Sequence, residues 1–318
     1  MKKINLLVLA LVLALGAQVT NADFVFGTPA TKVPNVNSSS ADASPVTSPD
    51  GLELYFPSNR PHGADMDYCD IWVAMRETTD YEWGMPVILG PPVNSSAWEG
   101  DPSFSADGLE LYFSDGGPPG WSGSTHRPGG YGGGDIWVST RATRNDPWGE
   151  PKNLGPVINT SAFEGDAILS ADGLEMFFGS DRRSSGDVEL YVTTRATISD
   201  PWGEPVHLGP TINPNNSPWW DGDPEISPDG LTLFFSSWRP GGYGENDLYV
   251  TTRATRDDDW GPAVNLGPTI NSADSDADPS LSADGSVLYF TRGQDSDRSS
   301  WDLWQVPIIS IFKAHNPD

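Results

Sequence analysis

The chain has 318 residues, is 37% hydrophobic and carries a formal net charge of -26. Its length allows a sizeable core in one domain or two. Its charge repels nucleic acid and anionic membrane and suits cations, cationic partners or neutral ligands. The single cysteine, Cys69, excludes an internal disulfide and reads as a buried or half-buried thiol.

Residues 1–22 read as a secretory signal: Lys2 and Lys3, the apolar run "INLLVLALVLALGA", then "TNA" with small residues at Thr20 and Ala22. The run is short for a membrane span and no later stretch is apolar enough to cross a bilayer. The mature chain is therefore expected to be secreted or periplasmic and free of integral membrane segments. The propeller described below is expected over residues 23–309, with a C-terminal tail over 310–318.

After the signal the chain repeats itself. Segments beginning at Ser48, Ser105, Ser170, Ser227 and Ser282 share the pattern "S[PA]DG" followed by an apolar, aromatic stretch. The repeated aspartates are Asp50, Asp107, Asp172, Asp229 and Asp284, spaced by 57, 65, 57 and 55 residues. In each unit a short stretch such as "DPSFS" leads into a tight Asp-Gly turn, and "LELYF" follows. A Gly/Pro loop then precedes a strand-like "DIWVSTR", and "DPWGEP" breaks the chain before a last short "VNLG" strand. No window carries a helical period. Four strands per unit of this length are the signature of a propeller blade.

The first and last units are incomplete in complementary ways. "FGTPATKVPNVN" (Phe26 to Asn37) aligns without a gap on "WGEPKNLGPVIN" (Trp148 to Asn159), so it reads as a fourth strand lacking its first three. The last unit, ending near "DLWQVPI", has three strands and no fourth. Together they predict an all-β, five-bladed propeller of four-stranded blades, its last blade closed by strands from both termini.

The linkers between blades align as "ADAS", "WEGD", "FEGD", "WDGD" and "SDAD". The first acid recurs in all five: Asp42, Glu99, Glu164, Asp221 and Asp276. The second recurs in four: Asp101, Asp166, Asp223 and Asp278, with Ser44 in the fifth place. Lying just before the innermost strand, these acids are expected to ring the channel mouth. Such a ring needs backbone donors, a cation or raised pKa values. Three readings stay open: a repeated structural role, a cation site whose oxygen ligands suit Ca²⁺, or catalysis by paired carboxylates.

Function sits more often on long loops carried by a rigid scaffold, here the face of the linkers and second-to-third-strand loops. The longest loop, Ser114 to Asp135, carries Trp121, His126, Arg127 and Tyr131. Trp98, Phe163, Trp219, Trp220, Trp238, Tyr243 and Trp301 are expected on the same face. Trp98, Trp121, His126, Tyr131, Phe163, Trp219 and Trp220 are the candidate ligand-binding residues. The repeated "PWG" tryptophans are expected to pack between blades. Arg76, Arg141, Arg195 and Arg253 are expected to pair with acids of the third-to-fourth-strand loop. No zinc spacing, nucleophile elbow or phosphate loop is present. Asn-x-Ser/Thr at Asn37, Asn94 and Asn159 follows the repeat, which explains it better than glycosylation does.

The "S[PA]DGLxLYF" segments, "SNRP" at Ser58 to Pro61 and "RPGGYGGGDIWVSTR" at Arg127 to Arg141 resemble the WD40-like (PD40, TolB-type) propeller repeat. The resemblance covers Phe26 to Ile308. It implies a ring with a binding face, as in periplasmic scaffolds and in propellers fused to hydrolases. The resulting expectation is a monomeric binding or scaffold module for an envelope protein, peptide or glycan. The alternative is a carbohydrate-active enzyme using the mouth carboxylates.

Overall fold

A computed structural model describes residues 22–61, 69–117, 125–183, 187–214, 220–294 and 297–313. The signal segment falls outside these residues except for Ala22. Twenty-one strands run in chain order, and no described residue is helical. Blade 1 comprises β3 (Val46–Thr47), β4 (Glu53–Ser58), β5 (Asp70–Met75) and β6 (Val87–Ile88). Blade 2 has β7 (Glu99–Phe104), β8 (Glu110–Asp115), β9 (Asp135–Thr140) and β10 (Lys152–Asn153), and blade 3 has β11 (Glu164–Leu169), β12 (Glu175–Ser180), β13 (Glu189–Thr194) and β14 (Val206–His207). Blade 4 has β15 (Asp221–Ile226), β16 (Thr232–Ser237), β17 (Asp247–Thr252) and β18 (Val264–Asn265). Each is an antiparallel four-stranded sheet in sequence order, so each is a meander.

Blade 5 closes the ring. β19 (Ser275–Leu281), β20 (Val287–Gln294) and β21 (Asp297–Lys313) come from the C-terminal end, and β2 (Thr31–Lys32) pairs with Gln305 and Trp304 of β21. β1 (Ala22–Phe26) adds a further pairing with β21 that reaches Lys313. The segment expected as a tail from residue 310 is thus strand as far as Lys313. Five-bladed closure by both termini is as the complementary deficits require.

Local sequence explains each turn between the first two strands. The Ser Oγ–H donates to the Asp carboxylate at 2.6–2.7 Å, as in Ser48–Asp50 and Ser105–Asp107, and the next glycine N–H returns to the Ser carbonyl. Gly51, Gly108, Gly173, Gly230 and Gly285 all sit near φ +70°, a region open to glycine at no steric cost. The core lies between blades: Tyr55, Ile71 and Val73 of blade 1 meet Phe104, Phe113 and Trp148 of blade 2, and comparable clusters fill the other interfaces. The "PWG" tryptophans Trp83, Trp148 and Trp260 are buried there.

The glycosylation-like asparagines do structural work. Asn94 accepts from Ile71 N–H and donates to Ile71 C=O, and Asn159, Asn213 and Asn271 bracket Ile136, Leu190 and Leu248 in the same way. Asn37 does this to Leu303 across the closure, at 2.7 and 3.0 Å. Asn37→Ala leaves the Leu303 N–H unpaired, while the Leu303 C=O keeps the Val33 N–H, so we expect a loss of about 1–3 kcal/mol in urea unfolding. A loss below about 0.5 kcal/mol would show that the bracket does not hold the closing blade.

Candidate functional site

The repeated linker acids separate into two sets with different tasks. The first set does not ring the mouth. Asp42, Glu99, Glu164, Asp221 and Asp276 are at most 1% exposed. Each faces an arginine from just beyond its blade's second strand: Arg60–Asp42 2.5 Å, Arg127–Glu99 3.5 Å, Arg182–Glu164 3.3 Å, Arg239–Asp221 2.6 Å and Arg292–Asp276 2.6 Å. The same guanidinium donates to a linker carbonyl (Val36, Val93, Ile158, Ile212 or Ile270) and lies over two aromatic rings of its blade. In four blades the carboxylate also accepts a linker backbone N–H, as from Ser38 to Asp42 and Thr160 to Glu164. Buried ions need this density of partners. Burial still pushes Glu99 up to about 7 and Asp276 up to about 6, against their arginines. These five acids clamp linkers and leave no room for a ligand. The reason is the arginine, which the linker alignment alone does not contain.

The second set does line the axial channel. Asp101, Asp166, Asp223 and Asp278, with Ser44, sit at φ between 42° and 57°. Each of the four aspartates falls where its inner strand slips register against the second strand. This bulge turns the side chain out of the sheet and into the channel. Asp is among the few residues that tolerate the left-handed region.

In three blades a hydroxyl from the second strand serves the aspartate. Ser114 donates to Asp101 at 3.0 Å, Ser236 serves Asp223 and Thr291 serves Asp278. Blade 1 lacks both partners, having Ser44 and Pro57 in their places. Blade 3 lacks only the hydroxyl: Gly179 pairs opposite Gly165 where the others carry Ser or Thr. Asp166 Oδ2 is buried without a hydrogen-bond partner, and a Cβ at Gly179 would meet it at 3.0 Å and Val188 Cγ1 at 2.9 Å. Burial, then the charges of Asp101, Asp223 and Asp278, drive the Asp166 pKa well above the carboxylate range. Asp166 therefore holds a proton and donates it to Asp101, which also accepts from Ser44 Oγ at 3.0 Å. Burial, then the charge of Asp278, drives Asp223 well above its usual value too, and Asp278 is pushed up to about 6 by burial.

Below the acids lies a tier of Pro45, Pro102, Ala167, Pro224 and Pro279, and below that Val46, Ser103, Ile168, Glu225 and Ser280. The channel encloses about 380 Å³ that opens to solvent. Glu225 was not singled out by sequence reasoning. It is the one acid in its column of five, visible once the second residue after each linker acid is compared. It is 8% exposed; one oxygen accepts from Leu281 N–H at 3.0 Å, and burial pushes it up to about 8.

Aromatic rings wall part of the mouth. Trp98, Phe163 and Trp220 lie on Gly100, Gly165 and Gly222, so closely that a Cβ there would meet the ring at 2.1–2.4 Å. Blades 5 and 1 have Ala277 and Ala43 instead, with no aromatic two residues earlier. Side chain and glycine thus come and go together. Phe163 is 1% exposed and serves as a base; its ring centroid lies 6.2 Å from Trp220, which stacks at 5.8 Å on the exposed Trp238. Tyr131 and Tyr243 are exposed on matching loops, each held by a backbone N–H to Asp135 or Asp247 at 2.6 Å. His126 is exposed and covers Gly116. Trp121 and Trp219 lie outside the described residues.

Among the described residues no group of three or more His, Cys, Asp or Glu is arranged to hold a metal ion. Arg76, Arg141, Arg195 and Arg253 do not seek the third-to-fourth-strand acids. They donate to the glycine carbonyls of the Asp-Gly turns and lie 4.0–4.5 Å from the "PWG" rings, and Arg141 and Arg253 reach Glu53 and Glu175 of the preceding blade. Burial and nearby acids push the Cys69 thiol well above its usual pKa, which disfavours the thiolate. No described helix is long and apolar enough to cross a membrane.

No family model and no curated protein matches the chain. Solved structures do. A thermostable family-43 glycoside hydrolase matches with TM-score 0.57 and 12% identity, covering 90% of this chain and 98% of that one. The GH62 α-L-arabinofuranosidase domain of Coprinopsis cinerea gives 0.58, 13%, 92% and 99%. TolB from Acinetobacter baumannii gives 0.47 and 17%, and the match covers 86% of this chain but only 56% of TolB. The likeness to the two glycoside hydrolases shows a shared fold alone.

The raised Asp166 pKa has a consequence for stability. The fold holds that proton more tightly than the unfolded chain, so stability declines as pH rises from the unfolded value near 4 through the folded one. Asp166→Asn keeps the shape, the donor to Asp101 and the left-handed backbone. We expect its melting temperature to match wild type within about 1 °C at pH 4.5 and to exceed it by about 2–4 °C or more at pH 8.5. Equal melting temperatures at both values would contradict a protonated Asp166.

Proposed function

We propose that this chain is an exported binding module that holds a basic protein segment over the mouth of its channel. The observation that carries this reading is the mouth itself: a stacked Phe163–Trp220–Trp238 wall beside a channel lined by Asp101, Asp166, Asp223, Asp278 and Glu225, with no Lys or Arg among its lining residues. Aromatic rings give large contact area at low entropy cost and attract cations on their faces. The net charge of -26 steers cationic partners toward the protein. The expected export and the scaffold role implied by the repeat agree with this reading.

A peptide array and a glycan array probed with the labelled mature chain test it. We expect retention on Lys/Arg-rich peptides, weakened by salt, and a loss of about tenfold or more in Trp220→Ala and Trp238→Ala, as for hot-spot aromatics. Retention on glycans alone would replace the ligand class, and retention on neither would remove the reading.

The alternative is a carbohydrate-active enzyme. It draws support from the fold shared with glycoside hydrolases and from the unequal protonation of Asp101 and Asp166. Geometry weighs against this pair, because the two carboxyls hydrogen-bond each other, whereas glycosidase acids stand about 5 Å or more apart. We expect no release of nitrophenol from a panel of aryl glycosides. Turnover that Asp166→Asn abolishes would favour the enzyme instead.

A further inference from the structure

The channel contains two polar side chains that the protein leaves unfinished at the same depth. Ser280 is 5% exposed and its Oγ has no hydrogen-bond partner. Glu225 is 8% exposed, and only one of its carboxyl oxygens has a partner, the N–H of Leu281 next to Ser280. Ser103, in the same tier, is complete: its hydroxyl donates to Ala167 C=O at 2.5 Å. Buried polar atoms left open in this way mark a missing partner. Both oxygens can accept, and an ionised Glu225 can do nothing else, so a cationic donor would complete both while holding Glu225 in its charged form. The tier above is apolar, made of proline rings and Ala167, and suits methylene groups. Above that stand four aspartates with no lining cation to offset them.

We propose that the axial channel is a subsite for one primary alkylammonium group, its nitrogen between Glu225 and Ser280 and its methylene stem against the prolines. The same chemistry is offered by a lysine side chain of a bound protein and by a free polyamine. An ammonium has three donors and no acceptor, which matches Glu225, Ser280 and the acids above. A guanidinium is broader and planar, and a divalent cation finds no three-carboxylate set here. The inference deepens the binding reading, since a lysine seated in the channel would anchor a basic segment lying on the aromatic wall.

The test uses the full mature chain in calorimetric titrations at constant ionic strength. The probes are cadaverine, an acetylated Gly-Gly-Lys-Gly-Gly amide, its Nζ-acetylated counterpart, tetramethylammonium and CaCl₂. We expect saturable binding of cadaverine, of the lysine peptide, or of both, and none of the Nζ-acetylated peptide. Cadaverine alone points to a free polyamine, and the peptide alone points to a protein-borne lysine. Glu225→Gln should weaken binding about tenfold or more and Ser280→Ala about threefold, the effects of losing a charged and a neutral hydrogen bond. Ile198→Ala, an exposed residue outside the channel lining, should leave cadaverine affinity unchanged. Equal affinity in Glu225→Gln with an unchanged melting temperature overturns the proposal. So does equal binding of tetramethylammonium, or displacement by Ca²⁺ with higher affinity. If cadaverine fails while basic peptides still need Trp238, the channel subsite falls and the binding reading stands.

Discussion

The structure depends on a buried arginine–carboxylate clamp repeated in every blade. An arginine supplied from the second strand or the loop after it pairs with the first acid of the linker, donates to a linker carbonyl and rests on two aromatic rings. Burying both charges is expensive unless every donor and acceptor is matched. Here the match also dictates where the linker runs, and so where the innermost strand starts. The bulge that follows inherits its position from that start. The side chain placed at the bulge can then only enter the channel.

From that geometry comes the contrast between the two acid sets. The first five carboxylates are neutralised in place. The next four enter a channel without cations and rely on hydroxyls, neighbouring backbone and shared protons. Three blades supply the hydroxyl, blade 1 dispenses with both acid and hydroxyl, and blade 3 keeps the acid alone. A repeat protein under one structural rule would show matched losses, as blade 1 does. The unmatched loss at Gly179, the isolated Glu225 and the open Ser280 hydroxyl gather in one channel. The binding reading rests on that coincidence.

Much of this was legible in the chain. The recurrent "S[PA]DG" turns, the strand order within a unit and the fragment "FGTPATKVPNVN" were enough for five blades and for closure by both ends. The linker acids were legible as a repeat but not as two sets. Asp42 and Ser44 sit two residues apart, and a strand reading places both on one face. The left-handed bulge breaks that alternation, and nothing in "WEGD" announces it. The arginine partners lay in "SNRP" and "SDRR", some 16 to 28 residues downstream, and only the paired strands bring them back. Glu225 escaped notice because its column holds Val, Ser, Ile, Glu and Ser, with no repeated residue to draw a comparison. The aromatic–acid–glycine association was readable in principle: where the glycine becomes alanine, the ring is gone.

By itself the sequence determined the local and periodic features: turn chemistry, blade count, strand order and ring closure. These follow from residue types at fixed spacing along one chain, and short-range sterics with hydrophobic patterning suffice to specify them. The tertiary structure decided which acids are clamped, which face the channel and which are pushed toward their protonated forms. Those outcomes depend on burial and on partners contributed by another strand or another blade. Charge and protonation answer to the surroundings assembled by the whole ring, and no single repeat contains them.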